Sequence, residues 1–262
     1  MIQIPNNIRK IIESESYDVD TIGMSESSVY LFSDKVLKVQ SVDEESENEY
    51  MMMKWLKGKL LIPEVIAYEK ECNKSYLLMS RISGVMACND YYMDTPELLI
   101  ELLSKAMHML WEVDITDCPS RINLDKKLEM AKYNVEHDLV DMEHVQPDTF
   151  GEGGFRNPKE LLSWLIENRP QEELVLSHGD FCLPNIFFTE DKLSGFVDLG
   201  KMCAADRYQD IALCYRSLTN NLDGNYGGKV QKKLDVDIFF NKLGITPDWD
   251  KIRYYILLDE LF

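Results

Sequence analysis

The sequence predicts an α+β protein with two lobes: a small antiparallel sheet carrying one main helix, followed by a larger, mainly helical region. Three observations predict this. Short β-like runs dominate before about residue 85, one amphipathic segment interrupts them, and the pattern after residue 85 is helical. The chain has 262 residues, 45% of them hydrophobic, which is enough for a sizeable core. We therefore predict two domains, residues 1–83 and residues 84–262.

The sheet of the first lobe is predicted from runs separated by turn-like or charged residues, namely 28–32, 36–39, 65–68 and 76–79. Within the segment 45–60, hydrophobic residues recur at helical spacing: Met52, Met53, Leu56 and Leu60. Pro63 then ends the pattern. One helix packed on a small antiparallel sheet is the simplest interpretation.

The second lobe begins with a helix from Thr95, which is a plausible N-cap because Pro96 follows at the first helical position, to about Val113. Its apolar face contains Leu99, Leu102, Leu103, Ala106, Leu110 and Val113. Further helices are predicted at 158–167, 236–243 and 249–262, and short strands at 174–177, 186–189 and 195–197. These strands flank polar residues, so the loops beside them are candidates for a catalytic site.

The chain is strongly acidic, with 46 Asp and Glu against 28 Lys and Arg and a formal charge of −18. Such a surface repels nucleic acid and anionic lipid and attracts cations. We expect neither nucleic acid nor membrane as a partner. The acidity fits a polycationic substrate, but it fits simple solubility equally well.

The six cysteines form no C-x-x-C pair and are scattered among apolar neighbours, which is typical of reduced thiols in a cytosolic protein. No basic segment followed by a long apolar stretch stands at the start, and no apolar run has the length needed to cross a bilayer. We therefore expect a cytoplasmic protein. No feature of the sequence defines an oligomeric state.

The most informative stretch is LVLSHGDFCLPNIFFTEDKLSGFVDLG, residues 174–200. Asn185 follows Asp180 by five residues, and Asp198 follows Asn185 by thirteen. An Asp that orients an acceptor hydroxyl, an Asn that holds Mg²⁺ and a second metal-binding Asp form the arrangement of kinases. Asp180 alone would be read as a turn or N-cap residue, but the joint pattern favours phosphoryl transfer. We expect His178 to support the loop by packing and hydrogen bonding.

A kinase also needs a cation at the nucleotide phosphates, and Lys38 in the strand VLKVQ, paired with Glu49, is the candidate. Glu45 and Glu47 are alternatives, but Glu49 precedes Met53 and Leu56 by four and seven residues and so lies near the core-facing stripe. In isolation, each residue would be read as an exposed charge. Their position upstream of the Asp180 motif favours the functional interpretation.

The segment GMSESSVY, residues 23–30, lies where a phosphate-covering loop belongs, and Ser25 is its candidate phosphate contact. It has one glycine and does not match G-x-G-x-x-G, so an ordinary hairpin turn is an equal alternative. A G-x-x-x-x-G-K-[ST] loop is absent from the sequence, which disfavours the P-loop kinases.

At these residues the chain resembles the aminoglycoside 3′-phosphotransferases, and the resemblance extends over nearly its whole length. The segments that carry it are GMSESSVY, EYMMMKWLKGKLLIPEVI, YLLMSRISG, DITDCP, LSHGDFCLPNIF, GFVDLG, AADRYQDIALCYRS and PDWDKIRYYILLDELF. Ordered matches of this kind are far more specific than H-G-D by itself.

The resemblance implies a two-lobed protein-kinase-like fold that binds ATP and passes a phosphoryl group to an aminoglycoside hydroxyl. By motif, it implies that Asp180 is the catalytic aspartate, that Asn185 and Asp198 are Mg²⁺ ligands, and that Lys38 and Glu49 form the nucleotide ion pair. It also implies an adenine pocket at Met79, Ser80 and Ile82, the last two through backbone groups. The aminoglycoside-binding group corresponds to Asp259, Glu260 and Phe262.

Some residues depart from the most acidic members of the family, namely Leu183, Pro184, Asn220 and Asn221. Val36 stands where an aromatic ring can stack on adenine. These departures leave open a kinase of another small hydroxylated substrate, and GTP as an alternative nucleotide. A noncatalytic pseudokinase is a third hypothesis, against which the intact catalytic set argues.

Two further groups are expected near the site. Residues 138–157 form an acidic loop in which Asp141, Glu143, Asp148 and Glu152 are either amine contacts or ordinary solvated side chains. For Asp206 and Asp210 in the segment ADRYQD, the resemblance implies hydrogen-bonded support of the catalytic loop.

Overall fold

The computed structural model describes residues 4–13, 15–19, 27–143, 145–226, 228, 230 and 237–262. The chain divides into two compact units, Met1–Ala87 with Pro184–Met202, and Cys88–Leu183 with Cys203–Phe262. The boundary that we placed after residue 83 is therefore close to the first change of unit. The prediction did not separate residues 184–202 from the second lobe, and in the structure they belong to the first unit.

The described residues form nine α-helices: α1 Asn6–Ile11, α2 Glu44–Leu56, α3 Asp90–Met93, α4 Pro96–Trp111, α5 Leu124–Glu136, α6 Pro158–Glu167, α7 Arg207–Leu222, α8 Asp237–Leu243 and α9 Trp249–Asp259. Within the same residues the strands are β1 Asp18–Val19, β2 Ser28–Leu31, β3 Lys35–Ser41, β4 Val65–Glu71, β5 Lys74–Ser80, β6 Val85–Met86, β7 Leu174–Ser177, β8 Ile186–Thr189, β9 Lys192–Phe196 and β10 Cys203–Asp206. Residues 183–185 form a short 3₁₀ helix.

The first unit is built on a five-stranded antiparallel sheet with the strand order β1-β2-β3-β5-β4. In its central strand β3, Lys38 is paired with Val29 of β2 and Leu77 of β5. The short helix α1, which we did not predict, buries Ile8 completely against apolar side chains of β2, β3 and β5. This cluster makes β3 a rigid support for Lys38.

A second, three-stranded sheet explains why residues 184–202 belong to the first unit. Its order is β6-β8-β9, so the hairpin of β8 and β9 pairs with the strand that ends the N-terminal part. Further backbone bonds reinforce this pairing, with Ala87 N–H donating to Ile186 O at 2.8 Å and Phe196 N–H to Leu61 O at 3.0 Å. Because β6 and β8 lie far apart in the sequence, no local sequence pattern indicates that they pair.

Helix α2 begins with a capping box in which the Asp43 side chain accepts from Ser46 N–H and the Ser46 hydroxyl accepts from Asp43 N–H. The predicted stripe is buried, since Met52, Met53 and Leu56 are at most 2% exposed. The helix ends at Leu56, four residues earlier than Leu60, because Lys57 and Gly58 leave the helical conformation.

In the second unit, α4 is the most buried helix that we predicted, and five of the six residues on the expected face are buried. The sixth, Val113, lies beyond the end of the helix at Trp111. Strand β7 pairs antiparallel with β10, and β10 leads directly into α7. None of the helices described is long and apolar enough to cross a membrane.

Candidate active site

Lys38 lies between two carboxylates in the first unit. Its Nζ atom is 2.9 Å from Glu49 Oε2 and 2.7 Å from Asp198 Oδ1. The structure thus contains the predicted pair of Lys38 with Glu49. Of the two alternatives, Glu47 pairs with Lys70, and the Glu45 side chain packs against Gly200. Glu49 is the carboxylate that α2 directs to Lys38, because it shares the buried face of that helix.

The electrostatics keep Lys38 charged. Burial alone would lower its pKa, but the charges of Glu49 and Asp198 and their hydrogen bonds outweigh this effect and raise the pKa of Lys38 well above its usual range. Burial in turn raises the pKa of the Glu49 carboxyl, and the charge of Lys38 opposes that rise. Lys38 therefore carries a positive charge across the physiological pH range.

Asn185 and Asp198 are held together by the backbone, because Val197 N–H donates to Asn185 O at 3.0 Å. Asp198 has a φ of +59°, a left-handed conformation that Asp tolerates better than most residues. Its carboxylate contacts Lys38, and its side chain is half-exposed. The first unit therefore brings four of the predicted residues, Lys38, Glu49, Asn185 and Asp198, into one region.

Asp180 lies in the second unit, in the turn that follows β7. Gly179 has a φ of +82°, which a residue with a side chain rarely adopts. The buried Asp210 fixes this turn: it accepts from Ser177 Oγ at 2.9 Å, His178 N–H at 2.7 Å and Gly179 N–H at 3.0 Å. Asp210 thus supports the turn that carries Asp180, as the resemblance implies.

The imidazole of His178 is completely buried, and its Nδ1 atom is 3.4 Å from Asp180 N. It also meets the Phe181 ring edge-on. These contacts agree with the packing role that we expected for His178.

The pKa of Cys182 shows which groups surround Asp180. Burial raises the pKa of this thiol well above its usual range, and the charge of Asp180 and a hydrogen bond to the Asp180 carboxylate raise the pKa further. The charge of Arg216 lowers the thiol pKa, and the charge of Asp259 raises it. Asp180, Arg216 and Asp259 therefore lie close enough to act on one thiol. The second unit thus places the predicted catalytic aspartate within electrostatic range of the thiol that Arg216 and Asp259 also influence.

The C-terminal group is fastened by several contacts. Arg216 forms ion pairs with Asp259 and, at 3.3 Å, with Glu260. Glu260 Oε2 also accepts from Gln146 N–H at 2.8 Å. The two carboxylates differ in access, because the side chain of Asp259 is 25% exposed and that of Glu260 only 4%. Phe262 lies under Lys127, with Nζ 5.3 Å from the ring centroid.

The residues predicted for the adenine pocket lie at the end of β5 and just beyond it. Met79 is buried and paired with Val36 of β3. Ser80 donates its N–H to Glu64 O at 2.9 Å and accepts from Glu64 N–H through its hydroxyl at 2.8 Å. The backbone group that Ser80 can offer to a ligand is therefore its carbonyl. Ile82 follows two residues later, half-buried, and Ser25 lies outside the described residues.

Asp206 has a different role from the one we expected. Its carboxylate caps α7 through Tyr208 N–H and accepts from Tyr255 Oη at 2.9 Å and Lys251 Nζ at 3.2 Å. It thus ties α7 to α9 and not to the turn that carries Asp180. The physical reason is that Asp206 precedes the helix, whereas Asp210 lies one turn inside it.

Two residues near the site were not foreseen. Asn48, next to Glu49, donates to the backbone that follows Asp198. Arg216 neutralises the C-terminal carboxylates. A polar residue on a mainly polar helix such as α2 carries no sequence signal for such a contact. Arg216 lies in CYRS, the end of the segment AADRYQDIALCYRS that carries the resemblance. This Arg was the sequence signal that could have identified the contact.

A buried lysine on an antiparallel sheet pairs with two carboxylates, and a helix clamps an H-G-D turn. Together these features define a protein-kinase-like phosphotransferase. Residues 21–255 match the family described as the phosphotransferase enzyme family. The chain is 40% identical to an aminoglycoside 3′-phosphotransferase of Enterococcus faecalis over 276 residues, covering 100% of this chain and 99% of the relative. It is also 40% identical to an aminoglycoside 3′-phosphotransferase of Staphylococcus aureus over 273 residues, covering 100% of this chain and 99% of the relative. The chain belongs to the aminoglycoside 3′-phosphotransferase family.

Solved structures agree with this assignment. The aminoglycoside phosphotransferase APH(3″)-Id of Streptomyces rimosus has a TM-score of 0.81 at 25% identity, covering 97% of this chain and 95% of that one. A structure of the same phosphotransferase in complex with ADP and streptomycin has a TM-score of 0.79 at 25% identity, with the same coverage. The predicted fold class and family are confirmed.

Proposed function

We propose that this chain transfers the γ-phosphoryl group of ATP to the 3′-hydroxyl of an aminoglycoside in a Mg²⁺-dependent reaction, and so confers resistance. The observation that carries the proposal is the position of Lys38 between Glu49 and Asp198, at 2.9 and 2.7 Å, in a chain whose 40% identical relatives bear the name of that activity. We place the reaction in the cytoplasm, where ATP is available and thiols stay reduced.

In this proposal the first unit binds the nucleotide phosphates. Lys38 donates to phosphate oxygens, and Glu49, at 1% exposure, keeps it in place. Because its pKa is raised, Lys38 offers a full positive charge across the physiological pH range. Ser25 is retained as a contact of the phosphate-covering segment.

The donor set near Lys38 fits Mg²⁺. This ion prefers hard oxygen ligands and keeps several waters, so one carboxylate and one amide oxygen suffice beside nucleotide phosphates. Asp198 and Asn185 are such a pair, joined through the bond from Val197 N–H to Asn185 O. Among the residues that the structure describes, no three or more His, Cys, Asp or Glu side chains are grouped so that they could hold a metal ion by themselves. When bound, Mg²⁺ neutralises charge on the phosphates.

The end of β5 favours ATP over GTP. The Ser80 N–H already donates to Glu64 O, so the backbone group that Ser80 presents to the nucleotide is its carbonyl. This carbonyl accepts a hydrogen bond from the 6-amino group of adenine. Guanine places an acceptor oxygen at that position. Met79 and Ile82 supply the apolar contact and the next backbone group. A competition measurement between ATP and ITP, which has an oxygen at position 6, checks this preference.

The second unit activates the acceptor. Asp180 orients the hydroxyl and takes its proton as the new bond from oxygen to the γ-phosphorus forms and the bond to the β-phosphate oxygen breaks, releasing ADP. The turn fixed by Asp210 and the hydrogen bond from Cys182 N–H to Asp180 O at 2.8 Å hold Asp180 in place. Positioning and charge stabilisation supply most of the acceleration.

The substrate is a polycation. Asp259 is the accessible carboxylate of the C-terminal group, Glu260 orders the segment around Gln146, and Phe262 offers an aromatic face. A net charge of −18 attracts such a molecule. Asn220 and Asn221 bond to Tyr226 and Ser217, so they serve local structure in place of charge.

The test is expression in a susceptible bacterium of the intact chain beside Asp180→Asn, with growth measured in kanamycin, neomycin and amikacin. Purified protein is assayed in parallel for ADP release, and the product by phosphorus NMR. Asp180→Asn should lose about 10²- to 10⁴-fold in kcat and keep its affinity for ATP. Phosphorylation of another alcohol with no aminoglycoside turnover would overturn the proposed substrate, and full activity of Asp180→Asn would overturn the mechanism.

A further inference from the structure

Asn48 donates both hydrogens of its side-chain amide to one short piece of backbone. Its Nδ2 atom is 2.7 Å from Gly200 O and 2.9 Å from Met202 O. Its neighbour Glu49 accepts from Leu199 N–H at 3.3 Å. Two consecutive residues of α2 therefore hold residues 199–202, the backbone directly after Asp198.

This stretch is a turn that α2 shapes closely. Met202 N–H donates to Leu199 O at 3.1 Å, which closes the turn. A Cβ atom on Gly200 would lie 2.5 Å from Glu45 Cγ, so the backbone passes directly against the helix. Glu45, Asn48 and Glu49 are spaced by three and four residues and so share one helical face. The face is built to fix the turn.

Asp198 needs such fixing because its left-handed φ of +59° is sparsely populated for a residue with a side chain. A conformation of this kind persists only when its surroundings determine it. On one side Val197 N–H is bonded to Asn185 O. On the other side, Asn48 provides two of the three hydrogen bonds described between α2 and residues 199–202. Without Asn48, the described hydrogen bond from this backbone to α2 is the one from Leu199 N–H to Glu49, which also serves Lys38.

We propose that Asn48 is a positioning residue that sets the orientation of Asp198 toward Mg²⁺. This inference rests on the proposed function, because it concerns the metal that Asp198 and Asn185 would hold. Removing an outer partner of a metal ligand costs about 10- to 100-fold in metal affinity in other proteins. The amide of Asn48 is such a partner, acting through the backbone and not through the carboxylate.

The experiment measures the calorimetric Kd of AMP-PNP with and without Mg²⁺. The Kd without Mg²⁺ divided by the Kd with Mg²⁺ is the ratio that reports the metal-dependent part of binding. Asn48→Leu has nearly the same shape but no donor, and it should reduce this ratio about tenfold while leaving the Kd without Mg²⁺ unchanged. A merely structural role would weaken binding equally in both conditions. Hydrogen exchange of the Leu199 and Met202 amides should be faster in the variant.

Asn134→Leu is the matched control, because Asn134 likewise donates through Nδ2, at 2.9 Å to Leu261 O, but in the second unit. It should keep the wild-type ratio. If Asn48→Leu does not fold, Asn48→Ala, which places no methyl groups against the carbonyls, replaces it. A wild-type ratio in the folded Asn48 variant overturns this inference alone. A ratio of one in the wild type overturns the Mg²⁺-dependent function, and the inference with it.

Discussion

The Nζ atom of Lys38 lies 2.7 Å from Oδ1 of Asp198, a residue 160 positions later in the chain. The same atom lies 2.9 Å from Glu49 Oε2. One cation therefore neutralises a completely buried carboxylate and a half-exposed one. Glu49 cannot regain water if Lys38 is lost, whereas Asp198 can.

Lys38→Met should therefore affect stability as well as nucleotide binding. Removing one partner of a buried pair leaves an uncompensated charge and costs about 3 kcal/mol. Urea unfolding of the variant should show this loss. The double variant Lys38→Met with Glu49→Gln should recover more than about 1 kcal/mol of it, since no buried charge is left unpaired. Stability losses that simply add in the double variant would contradict this account of the pair.

The pH dependence of the Lys38 effect follows from its raised pKa. A lysine whose pKa is higher in the folded state than its ordinary 10.5 contributes stability that is complete below that value and is lost as the pH rises through the folded pKa. In the Glu49→Gln background, which removes the buried carboxyl from both proteins, the difference in unfolding free energy with and without Lys38→Met should therefore be constant between about pH 6 and pH 9. A difference that shrinks within this range would show that another group titrates.

Asp210→Asn should impair the chemistry more than nucleotide binding. Asp210 accepts three hydrogen bonds from residues 177–179, and an Asn amide would direct a donor at a donor. We expect a loss of about 2 kcal/mol in stability and a fall in kcat of about tenfold, with an unchanged Kd for ATP. The matched control is Asp206→Asn, which loosens α7 and α9 and should leave kcat of the folded protein intact. Equal kcat losses in both variants would refute the distinction.

Asp259 and Glu260 should separate into a binding and a structural role. Asp259→Asn should weaken kanamycin binding by about tenfold or more, because a charge-assisted contact is lost at an accessible side chain. Glu260→Gln should instead cost about 2 kcal/mol in unfolding free energy, because it weakens the buried contacts with Arg216 and Gln146. Calorimetry with kanamycin and urea unfolding measure the two effects. The reverse assignment would show that Glu260 is the main ligand.

The sequence predicted the elements and residues whose signals are local. The strands around Lys38, the N-terminus of α4 at Pro96 and the H-G-D turn all have compact patterns, and each is present. Predictions were incomplete where distant segments meet. Examples are the pairing of β6 with β8, the burial of Ile8 and the hydrogen bonds from Asn48 to Gly200 O and Met202 O. These contacts join segments that have no common sequence pattern. Asp206 was misjudged because its partners, Lys251 and Tyr255, lie on α9.

Gly84→Ala tests the pairing that brings residues 184–202 into the first unit. Gly84 has a φ of +91°, and a Cβ atom there would overlap Phe188 O and lie 2.6 Å from Thr189 Oγ1. Gly58 has a similar φ of +76° with no atom within 4 Å, so Gly58→Ala isolates the conformational cost of about 1 kcal/mol. Gly84→Ala should cost about 2 kcal/mol more, because the backbone of β8 must move. Urea unfolding of both variants measures the difference, and equal losses would show that β8 yields without resistance.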